Sequence, residues 1–349
     1  MPVADSDFLS ACRCEPVARP PVWFMRQAGR SLPEFRALRG EGSILDAVRD
    51  PELAAELTCQ PVRRYGVDAA ILFSDIMVPI AAVGFEVEIV PGTGPVVNRP
   101  FRARSDLTRL RLLDPVADTP YVSETVRRVV AMVDVPVIGF AGAPFTLASY
   151  LVEGGPSRDF ARTKKLMHSE PETWFALADR LAEIALASLR SQVEAGASAV
   201  QLFDSWAGWL SRADYERFAL PATRRILGGL APFRVPRILF GVGTGELLDL
   251  MATAGADVVG VDWRVPLDRA AVRVGPHTAL QGNLDPAICL AGFDAAGVAA
   301  RRVLDEGRAA PGHVFNLGHG VLPGTDPAVL QRLVELVHAT SPRRGAMGR

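Results

Sequence analysis

Eight short apolar runs, spaced along the whole chain, restrict the fold more than any other feature of the sequence. Their residues are almost continuously apolar, which is typical of strands that are buried on both faces of a parallel sheet. Helical patterns lie between them, so each run is predicted to open a strand–helix unit. The runs are VWFM (22–25), AAILF (69–73), PVIGF (136–140), AVQLF (199–203), RILF (237–240), DVVGV (257–261), TALQ (278–281) and HVFNL (313–317).

The intervening helices carry recognisable start and stop signals. Asp50 followed by Pro51 predicts a helix that begins after a capping aspartate. The stretch 171–195 has the pattern of a long amphipathic helix, and Gly196 follows it as a stop. Further helices are predicted over 244–254 and 326–339.

Eight strand–helix units over about 300 residues indicate an α/β protein with a single (β/α)8 barrel. Segment 84–97 alternates and turns at PGTG, which predicts a β-hairpin inserted after the second strand. We expect one domain over residues 1–349, with an N-terminal extension over 1–20 and a frayed tail over 341–349. A doubly wound open sheet is the alternative, but it favours a glycine-rich phosphate turn after the first strand, and none follows residues 22–25.

Composition narrows the classes of partner. Lys and Arg total 38 and Asp and Glu total 39, so the formal net charge of −1 gives no indication of nucleic-acid binding. The four cysteines are too few for a disulfide framework in 349 residues, and their spacing does not suggest a zinc site. Residues 1–20 lack the pattern of a signal peptide, and no run of 18 apolar residues occurs. We expect a cytoplasmic protein that does not enter a membrane.

In a barrel of parallel strands the chemistry takes place where strands end and the following loops begin. Arg26 and Arg30 follow the first run, four residues apart with Gly29 between them. Two guanidinium groups in such a loop are suited to hold a carboxylate or a phosphate. The alternative is that they pair with acidic residues of a neighbouring loop.

Other polar residues lie at the ends of later runs. Asp75 follows the second run in an apolar setting, where its carboxylate must be hydrogen-bonded, paired or used to bind substrate N–H groups. His319 lies between Gly318 and Gly320 after the last run, and it can donate to an anion. Tyr150 and Ser205 are further candidates, and Ser205 lacks the sequence of a nucleophile elbow.

The sequence resembles the uroporphyrinogen decarboxylase family over nearly its whole length. The similarity is carried by PVWFMRQAGRSLPEFRALR (21–39) and GFAGAPFTLASYLVEG (139–154), which resemble two long family signatures. Shorter blocks follow in the family's order. They are FSDIMVP (73–79), LFDSWAG (202–208), VVGVDWR (258–264), LQGNLDP (280–286) and NLGHG (316–320).

The resemblance implies a homodimeric (β/α)8 barrel that acts on a small molecule. Its reaction is removal of CO2 from the four acetate side chains of uroporphyrinogen III, to give coproporphyrinogen III in haem biosynthesis. No metal or organic cofactor is implied, and no nucleic-acid or membrane partner.

The resemblance also assigns roles to residues. It implies that Arg26 and Arg30 hold substrate carboxylates and that the backbone of Gln27, Ala28 and Gly29 lines the site. Asp75 would meet the pyrrole N–H groups and act as the catalytic carboxylate, with Arg26 beside it. Tyr150, Ser205 and His319 would contact carboxylates or position the ring, and Arg39 matches a family arginine of less certain role. Two other hypotheses are a zinc-thiol methyltransferase of the same superfamily and a non-catalytic tetrapyrrole carrier.

Overall fold

A computed structural model of the chain describes residues 6–29, 31–40, 42–90 and 92–340. The predicted frayed tail over 341–349 and the first five residues of the N-terminal extension lie outside these ranges. The main element is a curled parallel sheet of seven strands in the order β1-β4-β5-β6-β7-β8-β9, beside a two-stranded antiparallel pair. The strands are β1 (Ala70–Ile71), β2 (Val87–Val90), β3 (Gly94–Val97), β4 (Val137–Gly142), β5 (Ala199–Asp204), β6 (Arg237–Gly241), β7 (Val258–Gly260), β8 (Ala279–Leu284) and β9 (His313–Leu317).

Helices follow the strands and cover the outside of the sheet. The longest of those described is α10, whose 24 residues bury one apolar face against the sheet. The helices are α1 (Asp7–Cys12), α2 (Pro33–Arg39), α3 (Ile44–Arg49), α4 (Pro51–Tyr65), α5 (Val78–Ala82), α6 (Pro115–Asp118), α7 (Pro120–Met132), α8 (Pro144–Glu153), α9 (Ala161–Ser169), α10 (Pro171–Glu194), α11 (Arg212–Asp214), α12 (Leu220–Leu230), α13 (Leu248–Ala252), α14 (Leu267–Val274), α15 (Phe293–Gly307) and α16 (Pro327–His338).

Most predicted elements agree with these bounds. The predicted cap of α4 is confirmed, because Asp50 Oδ1 accepts hydrogen bonds from the backbone N–H groups of Glu52 and Leu53, both at 3.1 Å. The helix predicted over 244–254 is shorter and begins with a 3-10 turn. The run at 69–73 forms a strand only over Ala70–Ile71.

The first apolar run, 22–25, differs from the prediction of a full strand. It forms a single parallel bridge, from Val22 to Phe315 of β9. On its other side the Val22 carbonyl accepts a hydrogen bond of 2.8 Å from the backbone N–H of Asp68, just before β1. Val22 therefore lies between the two edge strands of the sheet.

The curl of the sheet is visible in a row of polar side chains within its concave face. Gln281 of β8 donates to Gln201 of β5 at 2.9 Å, although β6 and β7 lie between these strands in the sheet order. Trp23 donates its indole N–H to Gln281 at 3.1 Å. Both glutamines are at most 1% exposed and Trp23 is fully buried. These bonds satisfy polar groups that would otherwise destabilise the interior.

An antiparallel pair occupies part of segment 84–97. Val87 pairs with Val97 and Val90 with Gly94. The backbone N–H of Val97 also donates to the carbonyl of Gly154, at the end of α8, at 2.9 Å. The pair is therefore held against the helix that carries Tyr150. None of the described helices is long and apolar enough to cross a membrane.

The apolar core depends on strand residues such as Leu239 of β6, which is fully buried. We expect Leu239→Ala to lower the free energy of unfolding by about 2–5 kcal/mol, because it removes buried methyl groups and leaves a cavity. Leu112→Ala is the matched control, since Leu112 is 55% exposed and its loss should change the free energy by about 0.5 kcal/mol or less. Urea unfolding measures both, and equal effects would contradict this assignment of the core.

Candidate active site

The loops that follow successive strands pack backbone against backbone, with glycines at the contacts. A methyl group at Gly208 would lie 2.6 Å from the carbonyl carbon of Gly243, and one at Gly318 would lie 3.0 Å from Cα of Trp263. Distances this short exclude any side chain unless the neighbour moves. These contacts join the loop after β5 to that after β6, and the loop after β9 to that after β7. The backbone N–H of Gly243 donates to Asp262 at 2.6 Å and links the two pairs of loops into one rim.

Arg26 is an exposed charged group at this rim. Its residue is exposed, and a methyl group at Gly320 would lie 2.5 Å from its Cδ, so the loop after β9 lies directly against it. Its φ of 59° is in the left-handed region that non-glycine residues rarely adopt. Among the described residues, no carboxylate lies within ion-pair distance of its guanidinium. The described residues therefore give no support to the alternative that Arg26 pairs with acidic residues of a neighbouring loop.

The other described residues of the 26–30 loop differ in how deeply they are buried. The side chain of Gln27, whose backbone is predicted to line the site, is fully buried. Its side chain accepts from the N–H of Phe24 and donates to the carbonyl of Ala69, both at 3.0 Å, so it holds the loop in place. Ala28 and Gly29 are half-buried, and Arg30 lies outside the described residues.

Arg39, which matches a further family arginine, makes its hydrogen bond within the neighbouring stretch of its own chain. It is half-buried and donates to the backbone carbonyl of Gly42 at 2.9 Å.

Asp75 lies near Arg26, and it has both a structural contact and a free oxygen. Its Oδ1 accepts from the backbone N–H of Met77 at 2.8 Å, which orders the turn before α5. Within the described part of the chain, no donor is within hydrogen-bond distance of Oδ2. Burial raises the pKa of the Asp75 carboxyl, while the Met77 N–H and the positive charge of Arg26 act in the opposite direction.

Tyr150, on α8, shares this environment. Its pKa is raised to about 12 by burial and by the negative charge of Asp75, and Arg26 opposes that rise. The ring of Trp206 lies against it, with 4.0 Å between ring centroids. Ser205 precedes Trp206 at the end of β5 and is half-buried. The hydroxyl of Tyr150 therefore stays protonated at neutral pH and can donate a hydrogen bond.

A buried chain of hydrogen bonds fixes the loop that carries Ser205. Asp204 accepts from the hydroxyl of Thr146 at 2.8 Å, and the Thr146 oxygen accepts from the backbone N–H of Trp206 at 3.2 Å. Burial raises the pKa of Asp204 to about 6. The sequence gives no indication of these hydrogen bonds, because a threonine of α8 and an aspartate of β5 meet only in the fold.

His319 follows β9 and is half-buried beside Phe240, with 6.3 Å between ring centroids. Its pKa is lowered to about 4 by burial and by the positive charges of Arg26 and Arg264, against an opposing contribution from Asp262. His319 is therefore neutral at physiological pH. A neutral imidazole still donates one hydrogen bond to an anion.

The charge of Arg26 contributes to the pKa shifts of three other predicted residues, Asp75, Tyr150 and His319. Ser205 directly precedes Trp206, whose ring packs on that of Tyr150. The sequence prediction assigned no role to Thr146, Asp204, Asp262 or Arg264. Their strand-end positions were visible in the sequence, but their contacts were not.

A zinc-thiol site would need clustered ligands. Among the described residues, no group of three or more His, Cys, Asp or Glu side chains is arranged to hold a metal ion. The cysteines are Cys12, Cys14, Cys59 and Cys289; burial raises the pKa of each thiol.

Comparison with solved structures agrees with the architecture. A methyltransferase from Methanosarcina mazei superposes with a TM-score of 0.76 at 20% identity, covering 95% of this chain and 97% of that chain. A B12-independent methionine synthase from Shewanella sp. W3-18-1 has a TM-score of 0.57 at 12% identity, covering 82% of this chain and 87% of that one. At such identities the likeness is one of fold.

Sequence comparison is more specific. The uroporphyrinogen decarboxylase (URO-D) family model matches residues 4–340. Proteins named uroporphyrinogen decarboxylase from Salinispora tropica and Streptomyces coelicolor are each 60% identical, over 98% and 97% of this chain and 92% and 96% of their own lengths. One from Thermobifida fusca is 61% identical over 96% of this chain and 92% of its own. The chain therefore belongs to the uroporphyrinogen decarboxylase family.

Proposed function

We propose that this chain is a carboxy-lyase that removes CO2 from the four acetate side chains of uroporphyrinogen III and releases coproporphyrinogen III, in haem biosynthesis. The observation that carries the proposal is an exposed Arg26 whose positive charge acts on the partly buried Asp75, with no ion pair between the two. A reduced tetrapyrrole has carboxylates at its edge and N–H groups at its centre, and so it needs both kinds of partner.

Arg26 is assigned to the substrate carboxylates. A guanidinium binds a carboxylate through two parallel hydrogen bonds, and the close contact with Gly320 limits where the Arg26 side chain can move. Arg30 is assigned the same task from the sequence. Arg26 does not act as a proton donor in this proposal, because guanidinium groups keep their proton in proteins.

Asp75 is assigned to the pyrrole N–H groups. Protonation of a pyrrole ring carbon next to the acetate side chain makes the ring an electron-accepting cation. The C–CO2 bond then breaks, its electron pair enters the ring system, and a proton at the side-chain carbon followed by loss of the ring proton leaves a methyl group. The net change is one proton taken up and one CO2 released. An ionised Asp75 stabilises the cationic intermediate, and each 1.36 kcal/mol of stabilisation is worth about tenfold in rate.

The neighbouring donors position the substrate. The protonated Tyr150 and the neutral His319 each offer a hydrogen bond to a side-chain carboxylate. Ser205 offers a third from a loop that is held through Thr146 and Asp204. Neutral donors suit this position because they add no competing charge near the intermediate.

Three further features belong to the proposal. The sheet closes as an eight-stranded (β/α)8 barrel in a single domain, supported by the position of Val22 between β1 and β9. Two copies form a homodimer, and the protein acts in the cytoplasm. These rest on the family likeness and on the contacts of Val22.

Anaerobic incubation with uroporphyrinogen III tests the activity. We expect the product to carry four carboxyl groups in place of eight, with unchanged yield after dialysis against a chelator. Binding without release of CO2 would favour a tetrapyrrole carrier. Activity restored only by added zinc would favour a metal-dependent reaction.

Asp75→Asn tests the catalytic carboxylate. We expect folding to be retained, since the asparagine Oδ1 still accepts from Met77, and kcat/KM to fall by about 100-fold or more because the ring cation loses its counter-charge. Asp305→Asn is the matched control, on an exposed side chain of α15 that pairs only with Arg308 at 3.6 Å among the described residues. An unchanged rate in Asp75→Asn removes Asp75 from the mechanism.

The same variant has a pH signature. The raised pKa of Asp75 means that the active, ionised form is lost as pH falls through a value above that of an ordinary aspartate, about 3.9. The acid limb of kcat/KM should vanish in Asp75→Asn. A limb that persists near pH 6 would point to Asp204, whose pKa is about 6.

Gly320→Ala tests the placement of Arg26. Its methyl group would lie 2.5 Å from Cδ and 2.7 Å from Cγ of Arg26, so the guanidinium must shift. We expect KM to rise about tenfold, because a charge-assisted hydrogen bond to the substrate contributes about 1.5–3 kcal/mol to binding. The thermal unfolding midpoint should change little. Gly324→Ala is the control in the same loop, because its nearest neighbour would be an ordinary contact of 3.6 Å with Leu290. Equal KM values for both variants would contradict the proposed role of Arg26.

A further inference from the structure

Arg264 is a second guanidinium at the rim formed by the loops after β5, β6, β7 and β9. It follows β7, and its side chain is 52% exposed although its partner Asp262 is 2% exposed. Its Nη1 donates to Oδ2 of Asp262 at 2.5 Å, and its guanidinium carbon lies 4.1 Å from the ring centroid of Trp263. An ion pair on one side and an aromatic face on the other hold the guanidinium in one orientation.

The carboxylate of Asp262 is itself well anchored. It also accepts from the backbone N–H of Gly243 at 2.6 Å and from that of Arg264 at 3.1 Å. Its charge is therefore shared among three donors from two loops. The Arg264 guanidinium keeps donors at Nε and Nη2 that bond to no acceptor within the described residues.

The location of Arg264 connects it to the site already described. The backbone of Gly318 packs directly on Asp262 and Trp263, which places the next residue, His319, close to this loop. Arg264 and Arg26 both contribute to the lowered pKa of His319. The two guanidinium groups therefore both act on His319.

Other arginines of these loops are engaged by acids. Arg212 binds Asp249 through both terminal nitrogens, with one bond of 2.6 Å, and also the carbonyl of Glu246. Arg273 pairs with the Glu246 side chain at 3.1 Å. Arg264 differs from Arg212 because its one acidic partner bonds to a single nitrogen and leaves Nε and Nη2 open within the described residues, whereas Arg273, like Arg264, bonds its acid through Nη1 alone.

We propose that Arg264 binds a substrate carboxylate on a pyrrole ring other than the one that loses CO2. This inference rests on the proposed function. The reacting ring is placed by Asp75 and Arg26, and the tetrapyrrole carries carboxylates around its whole edge. Arg264, on the half-exposed side beyond His319, meets a carboxylate that does not react in that step. It therefore contributes to binding and specificity rather than to bond breaking.

Steady-state kinetics of Arg264→Gln with uroporphyrinogen III tests this. We expect KM to rise about tenfold with kcat changed less than twofold, because the lost contact is made equally in the ground and transition states. Arg264→Lys should recover only part of the affinity, since an ammonium cannot bind Asp262 and present a second planar pair of donors. Arg269→Gln, on a side chain of α14 that is 78% exposed, is the matched control and should leave KM unchanged.

Inhibition by coproporphyrinogen III identifies the group that is bound. Weaker inhibition of Arg264→Gln indicates a propionate, which the product retains, while unchanged inhibition with a raised KM indicates an acetate; both support the proposal. A KM equal to that of the unmodified chain, or an equal rise in Arg269→Gln, overturns it while the proposed function stands. Failure of the unmodified chain to release CO2 overturns both.

Discussion

Two opposite charges, Asp75 and Arg26, act on each other without forming an ion pair. Burial disfavours the ionised carboxylate and raises its pKa, while the guanidinium lowers it, so the two effects oppose each other at the group assigned to catalysis. A direct salt bridge would have satisfied both charges and left neither for a ligand. Because they remain apart, the anionic edge and the N–H centre of one substrate can meet both. Tyr150 and His319 owe their shifted pKa values partly to the same two charges.

Holding these charges in place requires a rigid rim, and its stiffness comes from close backbone contacts. Gly208, Gly318 and Gly320 lie where a Cβ atom would collide with the neighbouring loop or with Arg26. Buried polar bonds add to this, as Gln27 fixes the first loop and Thr146 links Asp204 to Trp206. Groups that are already oriented lose little freedom when a ligand binds, which strengthens binding without new contacts.

The curled sheet supplies the frame for this rim. Gln201 and Gln281 bond across the concave face, and Val22 contacts the regions of both β1 and β9. Successive parallel strands therefore end on one side, and the loop after β9 lies directly against Arg26 although 293 positions separate Arg26 from His319 in the chain. The solved structure of the Methanosarcina mazei methyltransferase shares this fold at 20% sequence identity.

The sequence alone determined the order of strands and helices, because apolar periodicity and capping residues such as Asp50 act over a few neighbouring positions. It also supplied the prediction of Arg26, Arg30, Asp75, Tyr150, Ser205 and His319 as site residues, since each stands at a strand end or in a recognisable block. Tertiary structure decided what depends on long-range contact. Only the fold assigns Gln27 to holding its loop, makes His319 neutral through burial and two guanidinium groups, and brings Arg264 to the rim on Asp262. Solvation and charge at a site depend on all the elements around it, and no local pattern encodes them.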